Sequence, residues 1–313
     1  MRILFMFLDG IGLGVGDPAT NPFARVSMPR LERLLGGKKL VASSAPYEGP
    51  HATLLGLDAC LGVEGLPQSA TGQAVLLTGR NIPALIGEHY GPKPNPAVAR
   101  HLRSDTLFSR LRDAHKDVAL LNAYPPRYFR GVTSGKRLYS SIPLAVTSAG
   151  VRLFNKEDLF AGRAISADFT GAGWREMLGF PQAPILSTVA AGERLAHLTS
   201  QFDFALFEYW STDYAGHKQD MAWAVRQLEV LDEVLHGLLS NIDAQTLILI
   251  TSDHGNMEDL STRRHTAAPV PGILIGPRPA RRLFVDGLTD LTGIAPAILR
   301  LLLGPAGASP PTA

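Results

Sequence analysis

Seven side chains of this sequence have the chemistry to bind divalent metal ions. They are three aspartates, three histidines and a serine: Asp9, Ser69, Asp213, His217, Asp253, His254 and His265. Carboxylate oxygens and imidazole nitrogens are ligands that transition metals accept in proteins. Because seven oxygen and nitrogen ligands exceed what one ion takes from side chains, the set predicts a site for two metal ions.

The stretch from Thr246 to Asp259 indicates how such groups would be positioned. It begins with an apolar, β-branched run that predicts a buried strand, and the strand is followed by Asp253 and His254 just before Gly255. Ligands of α/β proteins gather at the carboxyl ends of parallel strands. Taken alone, the stretch fits a polar turn with a helix cap equally well, and only the remaining candidates favour a metal site.

Two further candidates lie in the first quarter of the chain. Asp9 follows an apolar run from Arg2 to Leu8, which predicts a second buried strand. The glycine-rich loop behind it lacks the spacing of a dinucleotide-binding loop. Ser69 precedes a run of helix-forming residues and is predicted to be a helix N-cap. Capping is the simple role for such a serine, but a helix amino terminus also stabilises a bound phosphate.

The second half of the chain supplies the other candidates. Asp213 and His217 are four residues apart, so they share a face if the segment is helical and can converge if it is a loop. His265 precedes another apolar strand. Each of these residues would, by itself, more often be a surface or structural group than a metal ligand.

Strands and helices alternate along most of the sequence and predict an α/β fold, a mostly parallel sheet with helices on both faces. Residues 1–124 and 185–304 are expected to form one core domain. Residues 125–184 show weaker patterns, with short strands expected near 136–146, and are interpreted as a small inserted cap. Residues 305–313 are rich in proline and alanine and predict a disordered tail.

The composition excludes several classes of protein. A net charge of +2 with scattered basic residues gives no indication of nucleic-acid binding. Cys60 is the single cysteine, which excludes an internal disulfide and fits a reducing compartment. No apolar run is long enough to cross a bilayer, and the run before Asp9 is too short for a signal peptide. We therefore expect a soluble cytoplasmic protein, whereas its oligomeric state is not predicted.

The candidate residues lie in motifs that resemble the alkaline phosphatase superfamily, in the branch of cofactor-independent phosphoglycerate mutase and phosphopentomutase. The matching motifs occur in the order of that family: LDG at 8–10, SATG at 69–72 followed by GR at 79–80, DYAGH at 213–217, DHGN at 253–256 and HTAAPVP at 265–271. Each motif alone is weak, but the ordered set is specific and spans residues 9 to 271.

The resemblance implies an alkaline-phosphatase-like core and a role for each candidate. Asp9, Ser69, Asp253 and His254 would bind one metal ion, and Asp213, His217 and His265 the other. Mn²⁺ is favoured by the resemblance and by the carboxylate content of the site, and Zn²⁺ is the alternative. Ser69 would be the nucleophile, with Thr71 as its nearest rival.

Two departures from the mutases bear on the reaction. Gln73 replaces their histidine, and the expected cap is far shorter than theirs. The sequence therefore predicts a hydrolase of small phosphate monoesters that acts through a phosphoserine, with a phosphomutase or a phosphodiesterase as alternatives. A non-catalytic metal-binding protein is the least favoured, since no ligand is missing. A sulfatase is disfavoured because the proline and arginine of its nucleophile motif are absent.

Substrate contacts are predicted in the segment PPRYFRG, residues 125–131. Arg127 and Arg130 carry planar guanidinium groups suited to a phosphate or a carboxylate. A basic, solvent-exposed loop is the alternative interpretation of the same residues.

Overall fold

The computed structural model describes residues 1–305, so nearly all of the predicted tail lies outside the described residues. A central sheet in this part of the chain contains seven strands in the order β2-β3-β7-β6-β1-β5-β4. The strands are β1 (Arg2–Leu8), β2 (Tyr47–Glu48), β3 (Ala52–Leu57), β4 (Val118–Leu120), β5 (Phe204–Tyr209), β6 (Thr246–Thr251) and β7 (Val270–Ile275).

The sheet is mostly parallel, as the sequence predicts. β1 pairs in parallel with β5 on one side and β6 on the other, and β4 pairs in parallel with β5. β7 is antiparallel to both β6 and β3, and the short β2 is antiparallel to β3. β1, β5 and β6 are almost fully buried because helices cover both faces of the sheet, which explains their continuous apolar sequences.

The helices of the described chain cover the two faces of the sheet. They are α1 (Pro22–Arg25), α2 (Pro29–Leu34), α3 (Ser69–Thr78), α4 (Ile82–Ile86), α5 (Pro96–Ser104), α6 (Leu107–Asp113), α7 (Pro126–Thr133), α8 (Ser141–Ser148), α9 (Lys156–Phe160), α10 (Ala172–Glu176), α11 (Thr188–Thr199), α12 (Ser211–Lys218), α13 (Met221–Asn241), α14 (Arg278–Val285) and α15 (Ile294–Leu303).

Side chains alternate between the two faces along each strand. In β1, Leu4, Met6 and Leu8 join a core with α2, α11 and α13. Ile3, Phe5 and Phe7 join a second core with α3, α5, α6 and α15. This alternation follows from the two-residue period of a strand and places α3 on the second face.

The segment 125–184 contains the four short helices α7 to α10, and the prediction of short strands near 136–146 is wrong. Residues 141–148 of that stretch form α8, which lies against α3 and α5. The Ser141 hydroxyl donates a hydrogen bond to the carbonyl of Ala70 at 3.2 Å. Apolar residues of the segment, such as Ile142 and Phe169, belong to the two cores of the sheet. The division of the chain into a core and a cap stays a prediction.

Among residues 1–305, no helix has the length and apolar character needed to cross a membrane. The cytoplasmic location stays a prediction.

A buried acid joins β5 to the residues that follow β4. The Glu208 carboxylate accepts a short hydrogen bond from the Tyr124 hydroxyl. The Asn122 side chain bonds the backbone N–H and C=O of Glu208, at 2.8 Å in each case. Burial raises the pKa of Glu208 to about 7, although the hydrogen bond from Tyr124 opposes the shift. The carboxyl group is therefore costly to ionise in the folded protein.

We expect Glu208→Gln to remove a pH-dependent loss of stability. An ordinary Glu, like one in the unfolded chain, has a pKa near 4.5, and folding raises that of Glu208 to about 7. The free energy of unfolding should therefore fall as pH rises between these two values. Relative to wild type, the variant should gain roughly 1 to 3 kcal/mol between pH 5 and pH 8.

Urea unfolding of the chelator-treated proteins at both pH values measures this gain. Glu229→Gln, an exposed site on α13, is the matched control and should show no gain. If the free energy of unfolding rose equally in the two variants, Glu208 would have no special cost of ionisation in the folded protein, and the prediction would be wrong.

Candidate metal centre

The sheet places the predicted ligands at the carboxyl ends of β1, β5 and β6. Asp9 directly follows β1, and Asp253 and His254 follow β6. β5 leads into α12, which carries Asp213 and His217 on one face. Because β7 is antiparallel to β6, the chain before β7 returns to the same end and brings His265 to it. Six of the seven predicted ligands therefore lie at one end of the sheet.

Ser69 lies at the amino terminus of α3, but its predicted role as N-cap is wrong. Gln68 occupies the cap position, and Ser69 is the first helical residue. The Ser69 Oγ instead lies 3.0 Å from Nε2 of His254. The rival Thr71 is fully buried, and its hydroxyl hydrogen-bonds the backbone of Gln68 and Tyr90. Of the two hydroxyls, that of Ser69 faces the site.

Two histidines turn equivalent nitrogens toward each other. Nδ1 of His217 lies 2.8 Å from the carbonyl oxygen of Arg263, and Nδ1 of His265 lies 2.8 Å from that of Pro67. A carbonyl oxygen only accepts, so both Nδ1 atoms carry the hydrogen and a neutral ring has its lone pair on Nε2. The two Nε2 atoms are 3.3 Å apart. A bound cation would satisfy both lone pairs.

His254 is held in the form that binds metals. Its ring is fully buried, and this burial lowers the pKa of His254 to about 4. The imidazole is therefore neutral at physiological pH, and neutral imidazole is the ligand form. Its Nε2 lies 3.4 Å from Oδ1 of Asp9 and 3.7 Å from Oδ2 of Asp253.

Two carboxylates lie beside this imidazole without a compensating charge, that of Asp253 fully buried and that of Asp9 largely so. Burial and repulsion by Asp213 raise the pKa of Asp253 to about 7. Burial, followed by the charges of Asp253 and Asp213, raises the pKa of Asp9 well above its ordinary value. Oδ1 of Asp9 is buried and has no hydrogen-bond partner within the described chain. An acceptor without a donor, among crowded carboxylates, fits a site built for cations.

Asp213 is positioned to serve both halves of the centre. Burial alone would raise the pKa of Asp213, but hydrogen bonds from His217 and Asn256 lower it to about 2. Its oxygens lie with His217 and His265 in one potential ligand group, and with Asp9 and His254 in a second. Sequence reasoning assigned Asp213 to the first group only.

Besides the contact of Ser69 with His254, α3 makes a contact with Asp253. The Gln73 amide donates a hydrogen bond to Oδ2 of Asp253 at 3.1 Å, and both side chains are buried. A Cβ on Gly72 would lie 2.7 Å from the carbonyl oxygen of Asp253, so only glycine permits this approach. Sequence reasoning noted that Gln73 replaces a histidine, but gave no indication of its partner.

Glu258 was also missed by sequence reasoning. Its Oε2 accepts hydrogen bonds from the backbone N–H of Gly12 at 2.8 Å and of Asn256 at 2.7 Å. Its Oε1 accepts a short hydrogen bond from the Thr266 hydroxyl. Glu258 thus joins the loop that carries Asp9 to both ends of the β6–β7 connection, which carries His254 and His265. No motif marks such a contact, because two of its partners are backbone N–H groups and one of these, Gly12, is 246 positions away.

Neither of the two predicted substrate arginines contacts the candidate metal centre in the described part of the chain. Arg127 and Arg130 lie on the exposed face of α7, and neither makes an ion pair or side-chain hydrogen bond within residues 1–305. Their role in binding substrate stays a prediction.

Comparison with known proteins is consistent with this geometry. Residues 184–305 match the profile of the Metalloenzyme superfamily. A 2,3-bisphosphoglycerate-independent phosphoglycerate mutase of Antithamnion sp. is 32% identical over 108 residues, which are 32% of this chain and 21% of that protein. The same enzyme of Yersinia pestis (strain Pestoides F) is 25% identical over 211 residues, covering 62% of this chain and 40% of its own length. The chain thus spans well under half the length of these relatives.

Among solved structures, the alkaline phosphatase from the Antarctic bacterium TAB5 has a TM-score of 0.53 and 12% identity, with 96% of this chain and 98% of that chain covered. At this identity the likeness shows the fold alone. Together with the family match, it confirms the predicted resemblance to the alkaline phosphatase superfamily.

We expect the protein to bind two divalent ions per chain, because the ligands form two groups that meet at Asp213. His217 belongs to one group only, so His217→Ala should retain a single ion. Elemental analysis after loading with Mn²⁺ and removal of free metal gives the stoichiometry. His197→Ala, at an exposed histidine on α11, should still bind two ions. A wild-type stoichiometry of one, or of none at saturating metal, would contradict the two-ion site.

Proposed function

We propose that this alkaline-phosphatase-like metalloenzyme hydrolyses phosphate monoesters through a phosphoserine at Ser69. The observation that carries the proposal is the position of the Ser69 hydroxyl, 3.0 Å from His254 and beside a buried set of potential metal ligands. A serine at a helix amino terminus and next to cations is suited to act as a nucleophile toward phosphorus.

The residues for two metal sites are present. Asp9, Ser69, Asp253 and His254 would hold one ion, and Asp213, His217 and His265 the other, with Asp213 within reach of both. When bound, the ions would neutralise phosphoryl charge and favour the ionised hydroxyl of Ser69. Gln73 keeps Oδ2 of Asp253 oriented, and the Nδ1 hydrogen bonds of His217 and His265 keep their Nε2 atoms directed inward.

The first turn of α3 offers donors for the phosphoryl group. Within residues 1–305, the backbone N–H groups of Ser69 and Ala70 have no hydrogen-bond acceptor, whereas that of Thr71 donates to Tyr90. Free N–H groups at the positive end of a helix bind phosphate oxygens. A phosphoryl group attached to or approaching Ser69 would therefore lie against donors that are already oriented.

Hydrolysis is favoured over isomerisation by two observations. A mutase must keep water away from its phosphoserine while the substrate reorients, which requires an enclosing lid. The buried residues of 125–184 pack into the two cores of the sheet, which favours a role as part of the scaffold over that of a separate lid. Gln73 also contacts Asp253 where the mutase motif has a histidine.

A phosphomutase is the second candidate, because the curated relatives named above are phosphoglycerate mutases. A phosphodiesterase would use the same nucleophile and ions. A non-catalytic metal-binding protein is disfavoured by the complete ligand set and the serine.

We expect Ser69→Ala to reduce kcat on the best phosphate monoester by at least about 10³-fold, because covalent catalysis loses its nucleophile. Metal content should change little, since Ser69 is one ligand among several. Ser44→Ala, at a buried serine outside the centre, is the control and should retain activity. Normal turnover in Ser69→Ala, with loss in Thr71→Ala, would move the nucleophile to Thr71.

We expect water to be the final phosphoryl acceptor. In oxygen-18 water, mass spectrometry of the released phosphate should show incorporation of the label during turnover of the best substrate. If label is absent and an isomerised phosphoester accumulates, the enzyme is a mutase. A screen of phosphate mono- and diesters with Mn²⁺, Zn²⁺ or Mg²⁺ identifies the substrate for this measurement.

A further inference from the structure

A cleft of about 410 Å³ opens beside the amino terminus of α3. Its side chains come from two segments, Glu64 and Gln68 before the helix and Glu88, His89 and Tyr90 after α4. None of the lining residues is lysine or arginine. The cleft is thus a polar, acidic cavity that has no part in the metal centre described above.

Both walls of the cleft are tied to the residues of the proposed reaction. The carbonyl of Pro67, between the lining residues Leu66 and Gln68 of the first wall, accepts the hydrogen bond from Nδ1 of His265. In the second wall, the Tyr90 carbonyl accepts a hydrogen bond from the N–H of Thr71 at 3.0 Å. A Cβ on the adjacent Gly91 would lie 3.3 Å from the backbone nitrogen of Ser69. The cleft therefore adjoins the position of a phosphoryl group on Ser69.

The groups lining this cleft favour one class of organic group. Two carboxylates, Glu64 and Glu88, attract a cation and repel an anion. The Tyr90 ring and the His89 imidazole offer flat surfaces for an alkylammonium group. Nε2 of His89 donates a hydrogen bond to the carbonyl of Cys60 at 3.1 Å, which fixes the orientation of its ring.

We propose that this cleft binds the organic part of a phosphate monoester whose alcohol carries an ammonium group. The phosphoryl group lies at Ser69, and the ammonium group lies between Glu64 and Glu88. The proposal rests on the proposed phosphatase function and adds the substrate class to it. It also sets this chain apart from an enzyme acting on a phosphoglycerate, whose carboxylate the two glutamates would repel.

The expected size of the effect is modest, because both glutamates are exposed to solvent. Charge interactions at an exposed site are weakened by water and salt, so each carboxylate should contribute about threefold to selectivity. The two together should contribute about tenfold, and this contribution should decrease at high ionic strength.

The test uses two substrates of similar size whose organic groups carry opposite charges. O-phosphoethanolamine carries an ammonium group, whereas phosphoglycolate carries a carboxylate. For the Mn²⁺-loaded wild-type enzyme we expect a higher kcat/KM on O-phosphoethanolamine. In Glu64→Gln/Glu88→Gln the ratio of the two kcat/KM values should fall about tenfold, chiefly through KM. Glu193→Gln, at an exposed glutamate on α11, is the matched control and should leave the ratio unchanged.

A preference for phosphoglycolate in the wild-type enzyme, or an unchanged ratio in the double variant, would overturn the proposal. Failure of the phosphatase function is detected separately by calorimetry on Mn²⁺-loaded Ser69→Ala. One outcome is that the wild-type enzyme hydrolyses neither ester while Mn²⁺-loaded Ser69→Ala binds O-phosphoethanolamine more tightly than phosphoglycolate. If Glu64→Gln and Glu88→Gln then remove this difference in affinity, the cleft assignment stands and only the phosphatase reaction is wrong. Equal binding of the two esters would overturn the cleft assignment as well.

Discussion

The hydrogen bonds of one buried carboxylate, Glu258, hold the metal centre together. The loop after β1 and the long connection between β6 and β7 both lie at the carboxyl end of these strands, and the sheet alone does not fix their relative positions. Glu258, in the β6–β7 connection, accepts hydrogen bonds from Gly12 of the first loop and from Asn256 and Thr266 of its own connection. A Cβ on Gly12 would lie 2.5 Å from the Glu258 side chain, so this contact also requires a loop residue without a side chain.

The centre accumulates negative charge in a place where water is largely excluded. Burial and repulsion by Asp213 raise the pKa values of Asp9 and Asp253, and the protein retains both groups despite this cost. A purely structural role would be served better by a neutral polar residue. This cluster of carboxylate oxygens and inward-facing imidazole nitrogens is therefore best understood as a cation site. Gln73 donates a hydrogen bond to Asp253 and adds no further charge to the site.

The sequence predicts the positions of Asp9 and Asp253 after buried strands because strand ends are a local property. The apolar runs that become β1 and β6 end one or two residues before Asp9 and Asp253, and the period of a strand is visible without knowledge of its neighbours. The direction of β7 was not predicted. The direction of β7 depends on its pairing with β3 and β6. Because β7 is antiparallel to β6, His265, which precedes β7, lies at the same end of the sheet as Asp253 and His254, which follow β6.

Sequence reasoning failed where long-range contacts decide the structure. Residues 141–148 form a helix because α8 packs against α3 and α5, although their composition also fits a strand. Ser69 has the residue type of a helix cap, yet its hydroxyl contacts His254, 185 positions away. Gln73 and Glu258 likewise act through partners distant in sequence, and no local pattern identifies such pairs.

The central place of β1 has a consequence for biosynthesis. This strand is made first, but its two neighbours in the sheet are β5 and β6, which are translated much later. During translation its apolar side chains have no strand partner until residues 204–251 have left the ribosome. An unpaired hydrophobic strand is prone to aggregation, so a nascent chain of this topology depends on protection by chaperones until its second half emerges. Assembly of the candidate metal centre is, for the same reason, a late event in folding.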